Sequence, residues 1–344
     1  MPHLAITGDF DFLQAKIHGL RSRLYELERL DGLCDLTTIA QLWHRLYPDI
    51  EASDHHALQR RLLADHVATL EIIRGRLPER LAPFYTWVLR RYQIENLKVI
   101  LRGWKAHEPL ARIALYLAPL PGEFALRAQA LLAASSLADF LLLVPLRELR
   151  LAAEKAAGDQ IETGDTFFVE TAFDAAYYRG LHAQHQGLPG EHRTGTETLV
   201  RMEIATYNIL TLFRLKLSYN VPFEQTRQFL IDLAPHPFRL ERIYDYPDFR
   251  DMLPLVPLEL LPRDLLEEIR DLADLERALW ERLLRVANRR FYRSINDLGA
   301  VVAYTLIKRI ELGNLIRVIE GVRYGMDRDE IKGGLIRLPQ AVAS

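Results

Sequence analysis

Cysteine is nearly absent: Cys34 alone in 344 residues leaves no internal disulfide and no zinc site built on several thiolates. A lone thiol of this kind reads as inert core in a reducing compartment. Long apolar runs are missing too. A membrane-spanning helix needs about 18 or more consecutive apolar residues, and the most apolar stretch, 128–146, is interrupted by Asp139 and Pro145. The opening MPHLAITGDFDF has no basic segment leading into an apolar run, so no secretory signal is expected and a cytoplasmic location is. Charge of one sign is also lacking. Lys plus Arg number 44 against 46 Asp plus Glu, a net of -2, so no global field draws the chain onto nucleic acid or an anionic membrane.

Catalytic motifs are absent. A protein that hydrolyses ATP needs a GxxxxGK[ST] loop to cradle phosphates, and none occurs; the glycines of the 158–166 stretch have no lysine after them. There is likewise no GxSxG, HExxH or GxGxxG. Neither catalytic residues, cofactor, metal nor small-molecule substrate is expected.

What is present is helix. Helical periodicity marks 12–30, 58–73, 88–104, 124–141, 199–217, 265–286 and 301–322, while strand-like alternation is almost nil. Turn chemistry falls between these runs, at 158–166, at 186–195 and in the proline-rich segment after Ala234. The fold class is therefore all-α.

Three of the helices align on an asparagine: YQIENLKVILRG around Asn96, IATYNILTLFRLK around Asn208 and IKRIELGNLIRVIEG around Asn314. Tyr92, Ile204 and Ile310 stand four positions before, and Leu97, Ile209 and Leu315 one after. Ile100 with Leu101, Leu212 with Phe213, and Val318 with Ile319 follow at four and five. The runs 173–181 and 275–283 also match, setting Asp174 against Glu276 and Tyr178 against Trp280; 137–146 matches 246–255 through Asp139/Asp248, Phe140/Phe249 and Pro145/Pro254. These markers keep one order, which predicts a triplicated helical unit over 10–105, 128–218 and 224–325.

The asparagines sit in the apolar stripe, where a buried amide must find partners. The expectation is a lock onto the backbone of a neighbouring segment; a ligand-binding triad is the alternative. Arg102 and Arg214 stand six positions after their asparagines, with Glu320 at that place in the third unit, and these rim residues are the candidate partner contacts. His182, His185 and His192 with Glu191 match no metal-ligand spacing, and the adjacent His55 and His56 point apart on a helix. The basic-aromatic NRRFYR at 288–293 is the form of an ordinary helix end.

The segments ENLKVILRG, ETAFDAAYYRGL, EIATYNILTLFRLK and RIELGNLIRVIEGVRYG resemble the recurring signatures of a rotary-ATPase family, known as the C subunit in archaeal and bacterial A/V-type enzymes and the d subunit in eukaryotic ones. The opening DFLQAKIHGLRSRLYELERL is similar to that family's first unit, so the likeness runs from about 10 to 325. The resemblance implies a funnel of three pseudo-symmetric helical units on the cytoplasmic face of the membrane rotor ring. It also implies that the foot of the central stalk enters that funnel. Such a protein is non-catalytic, transmits torque for proton or sodium transport, and has central-stalk subunits and the rotor ring as partners. It binds no nucleic acid and does not insert in the membrane. A helical-repeat scaffold unrelated to ATPases is the competing reading; an enzyme with a helical cavity would need a convergent acidic or metal cluster.

Overall fold

The computed structural model describes residues 4–158, 166–233, 239–294 and 297–338, with side chains from Phe12 onward. Among these residues every regular element is helical. In chain order they are α1 (Leu4–Arg21), α2 (Glu28–Asp31), α3 (Ile39–Leu46), α4 (His55–Arg74), α5 (Ala82–Lys105) and α6 (Leu110–Ile113). Then come α7 (Ala128–Leu132), α8 (Leu137–Leu142), α9 (Arg147–Gly158), α10 (Phe167–Gln186), α11 (Gly190–Tyr219) and α12 (Phe223–Thr226). Last are α13 (Leu240–Tyr244), α14 (Phe249–Met252), α15 (Leu272–Arg293), α16 (Gly299–Tyr324) and α17 (Arg328–Gly333).

Local chemistry accounts for several of the starts. Thr38 and Gln41 close a capping box on α3, Ser136 accepts from the Asp139 N–H to start α8, and Asp271 does the same for α15 through Asp274. Each side-chain oxygen satisfies a backbone donor that the first helical turn leaves without a partner.

Four expectations change in detail. The periodic stretch 124–141 is not one helix. It is broken into α7 and α8, because the Ser136 side chain offers the backbone a cap in place of a continuing turn. The polar 186–195 stretch is mostly helix: α11 starts at Gly190, and Gly187, Leu188 and Pro189 alone make the connection. α1 stops at Arg21, and α15 begins at its Asp271 cap rather than at 265. Of the other connections expected, 159–165 and 234–238 lie outside the described residues.

Contacts gather the chain into two compact units: residues 1–59, 76–78 and 189–344 in the first, 60–75 and 79–188 in the second. In the first, α16 is the central helix, packed by α15, α11, α1 and α3. Its residues from Gly299 to Ile307 are all buried, which needs a surface apolar nearly all round over these turns; the Thr305 hydroxyl donates to the Val301 carbonyl at 2.9 Å. In the second, α10 has that place, held between α9 and α5. Phe173, Ala175 and Leu181 of α10, with Leu89, Ile100 and Leu101 of α5, are among the residues of that core. The division into 10–105, 128–218 and 224–325 is one of sequence register, separate from this division by contact.

Candidate functional site

Asn96, Asn208 and Asn314 are all buried, and so is every apolar position of the stripe around them. Each side-chain amide grips one backbone residue with both of its ends. Asn96 donates Nδ2–H to the Ala118 carbonyl and accepts from the Ala118 N–H, both at 2.8 Å. Asn208 does the same to Ile231 at 2.8 and 2.9 Å, and Asn314 to Ile336 at 2.7 and 2.9 Å. The gripped residue lies 22, 23 and 22 positions downstream. A residue outside any helix thus has its N–H and C=O satisfied by an amide of matching geometry.

The chain between asparagine and gripped residue is built alike at the three places. The long helix ends where the N–H of Glu108, Val221 or Met326 closes onto the carbonyl of Gly103, Leu215 or Gly321, the residue seven beyond the asparagine. Next to that donor stands a left-handed residue: His107 at φ 54°, Asn220 at 49° and Gly325 at 67°. A short helix follows, α6, α12 or α17, with Pro109, Pro222 or Asp327 at the position before its first turn; of the three, Asp327 caps it with its side chain. The middle turn holds one extra residue, which is why its asparagine reaches 23 rather than 22.

Helix packing at the turn has two solutions. A methyl on Gly103 would run into Ile113 of α6, and one on Gly321 into Ile331 of α17, so the glycine there makes room for the isoleucine. In the middle copy the sizes are exchanged: Leu215 is buried on the long helix and Thr226 on α12.

Charges join neighbouring helices. Arg102 forks onto Glu170 of α10, with Nε to Oε1 at 2.8 Å, and Lys98 reaches Asp174 at 3.0 Å. Asp174 and Glu95 raise the Lys98 ammonium against the burial that pulls it down. Arg214 lies 3.8 Å from Glu276 of α15, while Glu320 accepts from Gln59 at 2.6 Å and Arg323 at 2.8 Å. All three rim residues thus have partners within the chain. Arg91 stacks 6.0 Å from the Tyr178 ring and donates to its hydroxyl at 3.0 Å; Arg309 sits 5.0 Å from the Trp280 ring and pairs with Glu203 at 2.6 Å.

No group of three or more His, Cys, Asp or Glu among the described residues is arranged to hold a metal. His182 and His185 lie at the end of α10 and His192 at the start of α11. Cys34 is buried, and burial pushes its thiol up, away from the reactive thiolate. A cavity of about 450 Å³ opens between α5, α8, α9 and α10, lined chiefly by apolar side chains such as Trp104, Leu137 and Phe168. Among the described residues that line it, Lys105 and Glu154 are the ionisable ones. None of the described helices is long and apolar enough to cross a membrane.

The features missed in sequence are the partners: Ala118, Ile231 and Ile336 for the amides, and Glu170 for Arg102. The prolines Pro109 and Pro222, placed 13 and 14 residues after their asparagines, were the one available signal.

The described residues thus hold one motif three times: a long helix, a turn and a short helix, closed by an asparagine amide on a backbone residue 22 or 23 positions on. The chain belongs to the ATP synthase (C/AC39) subunit family, whose model matches residues 13–334. It is 23% identical over 339 residues to the C subunit of the A-type ATP synthase of Thermococcus onnurineus, covering 94% of this chain and 89% of that one. It is 24% identical over 289 residues to the corresponding protein of Methanosarcina barkeri, covering 82% and 76%, and 20% identical over 342 residues to that of Thermococcus kodakarensis, covering 94% and 89%.

Proposed function

We propose that this chain is a non-catalytic rotor component of an A/V-type rotary ATPase, seated between the central stalk and the membrane ion-carrying ring on the cytoplasmic face. It passes torque between ATP turnover and proton or sodium movement. The observation that carries the reading is the repeated amide clamp. A torque adaptor needs stiffness, and a buried side chain that pins a returning segment by two hydrogen bonds at the end of a long helix supplies it at three places. Three units over 10–105, 128–218 and 224–325, arranged as a funnel, accommodate a stalk that enters along one axis. Asn96, Asn208 and Asn314 are their structural markers. Membership of the ATP synthase (C/AC39) family supports the same reading and leaves an unrelated scaffold without support.

Reconstitution tests it. An enzyme assembled with this chain should couple ATP hydrolysis to ion movement into vesicles, and the same enzyme without it should hydrolyse ATP while the ion gradient fails to form. Full coupling in its absence would refute the role.

A further inference from the structure

The NRRFYR segment closes α15, and the surface it belongs to starts two turns earlier. Arg282, Arg285, Arg289 and Arg293 fall at successive steps of three, four and four, which keeps them in one sector of the helix over about 16 Å at 1.5 Å per residue. The buried side of the same helix, Leu283, Leu284, Ala287 and Phe291, faces the other way. Arg289 and Arg293 are exposed, and Arg282 and Arg285 are half-buried.

No carboxylate among the described residues forms an ion pair with any of the four, in a chain where arginines elsewhere are widely paired. Arg282 donates only to a backbone carbonyl, that of Glu259 at 2.9 Å. Burial, and after it the like charges of Arg289 and Arg285, lower its guanidinium. Arg285 Nε is shut from solvent without a hydrogen-bond partner. Glu281, the acid beside Arg285, is partly buried and accepts from the Arg337 N–H at 3.4 Å. The helix thus holds four like charges in a row, an arrangement that repels itself until an anion joins it.

Each end of the row carries an exposed apolar side chain. Tyr292 is 66% exposed beside Arg293, and Leu258 is 58% exposed next to the carbonyl that Arg282 holds. Arginine and tyrosine are the residues that protein interfaces concentrate, and the planar guanidinium matches carboxylates through paired hydrogen bonds. A flat anionic bilayer fits this surface poorly, because the charge is a single file and the exposed Glu259 stands at its edge. The net charge of -2 gives a nucleic acid no wider field to follow.

We infer that the Arg282–Arg285–Arg289–Arg293 face of α15 docks an acidic helix of a neighbouring protein of the same enzyme, with Leu258 and Tyr292 as apolar anchors at its two ends. The inference rests on the rotor reading above and gives it a contact.

The test uses the full chain and the remaining proteins of its own enzyme. Affinity is measured for wild type and for R289E/R293E, whose exposed positions leave folding intact, at two salt concentrations differing several-fold. The double reversal is expected to weaken assembly by about tenfold or more and to flatten its dependence on salt, since close charge pairs set both. Leu258→Ser is expected to weaken assembly while leaving the salt dependence alone. Unchanged affinity and salt dependence in R289E/R293E would overturn the inference. So would intact assembly with lost binding to phosphatidylglycerol vesicles, which would give the face to the membrane. A wild-type chain that joins none of these proteins would remove the rotor reading itself, and the inference with it.

Discussion

Asn208 and Ile231, 23 positions apart, are joined head to tail: the side-chain amide donates to the Ile231 carbonyl at 2.8 Å and accepts from its N–H at 2.9 Å. Both residues are buried, so water replaces neither bond. Asn208→Leu keeps the apolar stripe but leaves one donor and one acceptor of Ile231 without partners. The expected loss is about 1–3 kcal/mol of stability. Urea unfolding checks it; an unchanged midpoint together with weakened assembly would make Asn208 a partner-binding group instead.

Gly180 on α10 lies under the Trp87 ring of α5, so that a methyl at this position would overlap the indole, whose Nε1–H donates to the Tyr177 carbonyl at 2.9 Å. Gly180→Ala gains helix propensity but forces the two helices apart. A net destabilisation of about 1–3 kcal/mol is expected, because overpacking in a filled core exceeds the propensity gain of roughly 1 kcal/mol. Thermal melting measures it, and a stabilised variant would show that the helix pair has slack.

Glu311 on α16 is buried, and burial first of all raises its pKa, in spite of Lys308 nearby and the hydrogen bond from the Tyr25 N–H at 2.6 Å. A carboxyl whose folded pKa lies above its unfolded one binds its proton more tightly in the native state. Its contribution is therefore full below the ordinary value of 4.5 and is lost as pH rises through the raised folded value. Glu311→Gln, which keeps an acceptor for the Tyr25 N–H, is expected to flatten that loss. Denaturation of both proteins from about pH 4 to pH 7 tests it; parallel curves would refute the assignment.

Arg102 pairs with Glu170 across α5 and α10, but its side chain is 62% exposed. Exposed pairs contribute at most about 1 kcal/mol, so Arg102→Ala should change the unfolding free energy by less than that. If the variant folds normally and assembles poorly, Arg102 meets a partner as well as Glu170. A loss of stability well beyond this bound would place its role inside the protein.

Helix was legible because it is written in a short-range code. Apolar residues at helical spacing around Asn96, Asn208 and Asn314 show which face turns inward, and that face is buried throughout. The same periodicity could not locate the break at Ser136 or the start of α11 at Gly190, where one cap or one proline outweighs a run of weak propensities.

Sequence by itself determined that the chain is helical, that a helix with a buried amide occurs three times, and that no phosphate-binding loop is encoded. Only the tertiary structure decided what each amide holds. Ala118, Ile231 and Ile336 are reached after a turn and a short helix, and a residue 22 or 23 positions away has no fixed direction until both are folded. It also decided which arginines are answered. Arg102 and Arg214 meet carboxylates on the next helix, whereas Arg289 and Arg293 meet none among the described residues, a difference set by which helix faces pack together and invisible to any count of charge.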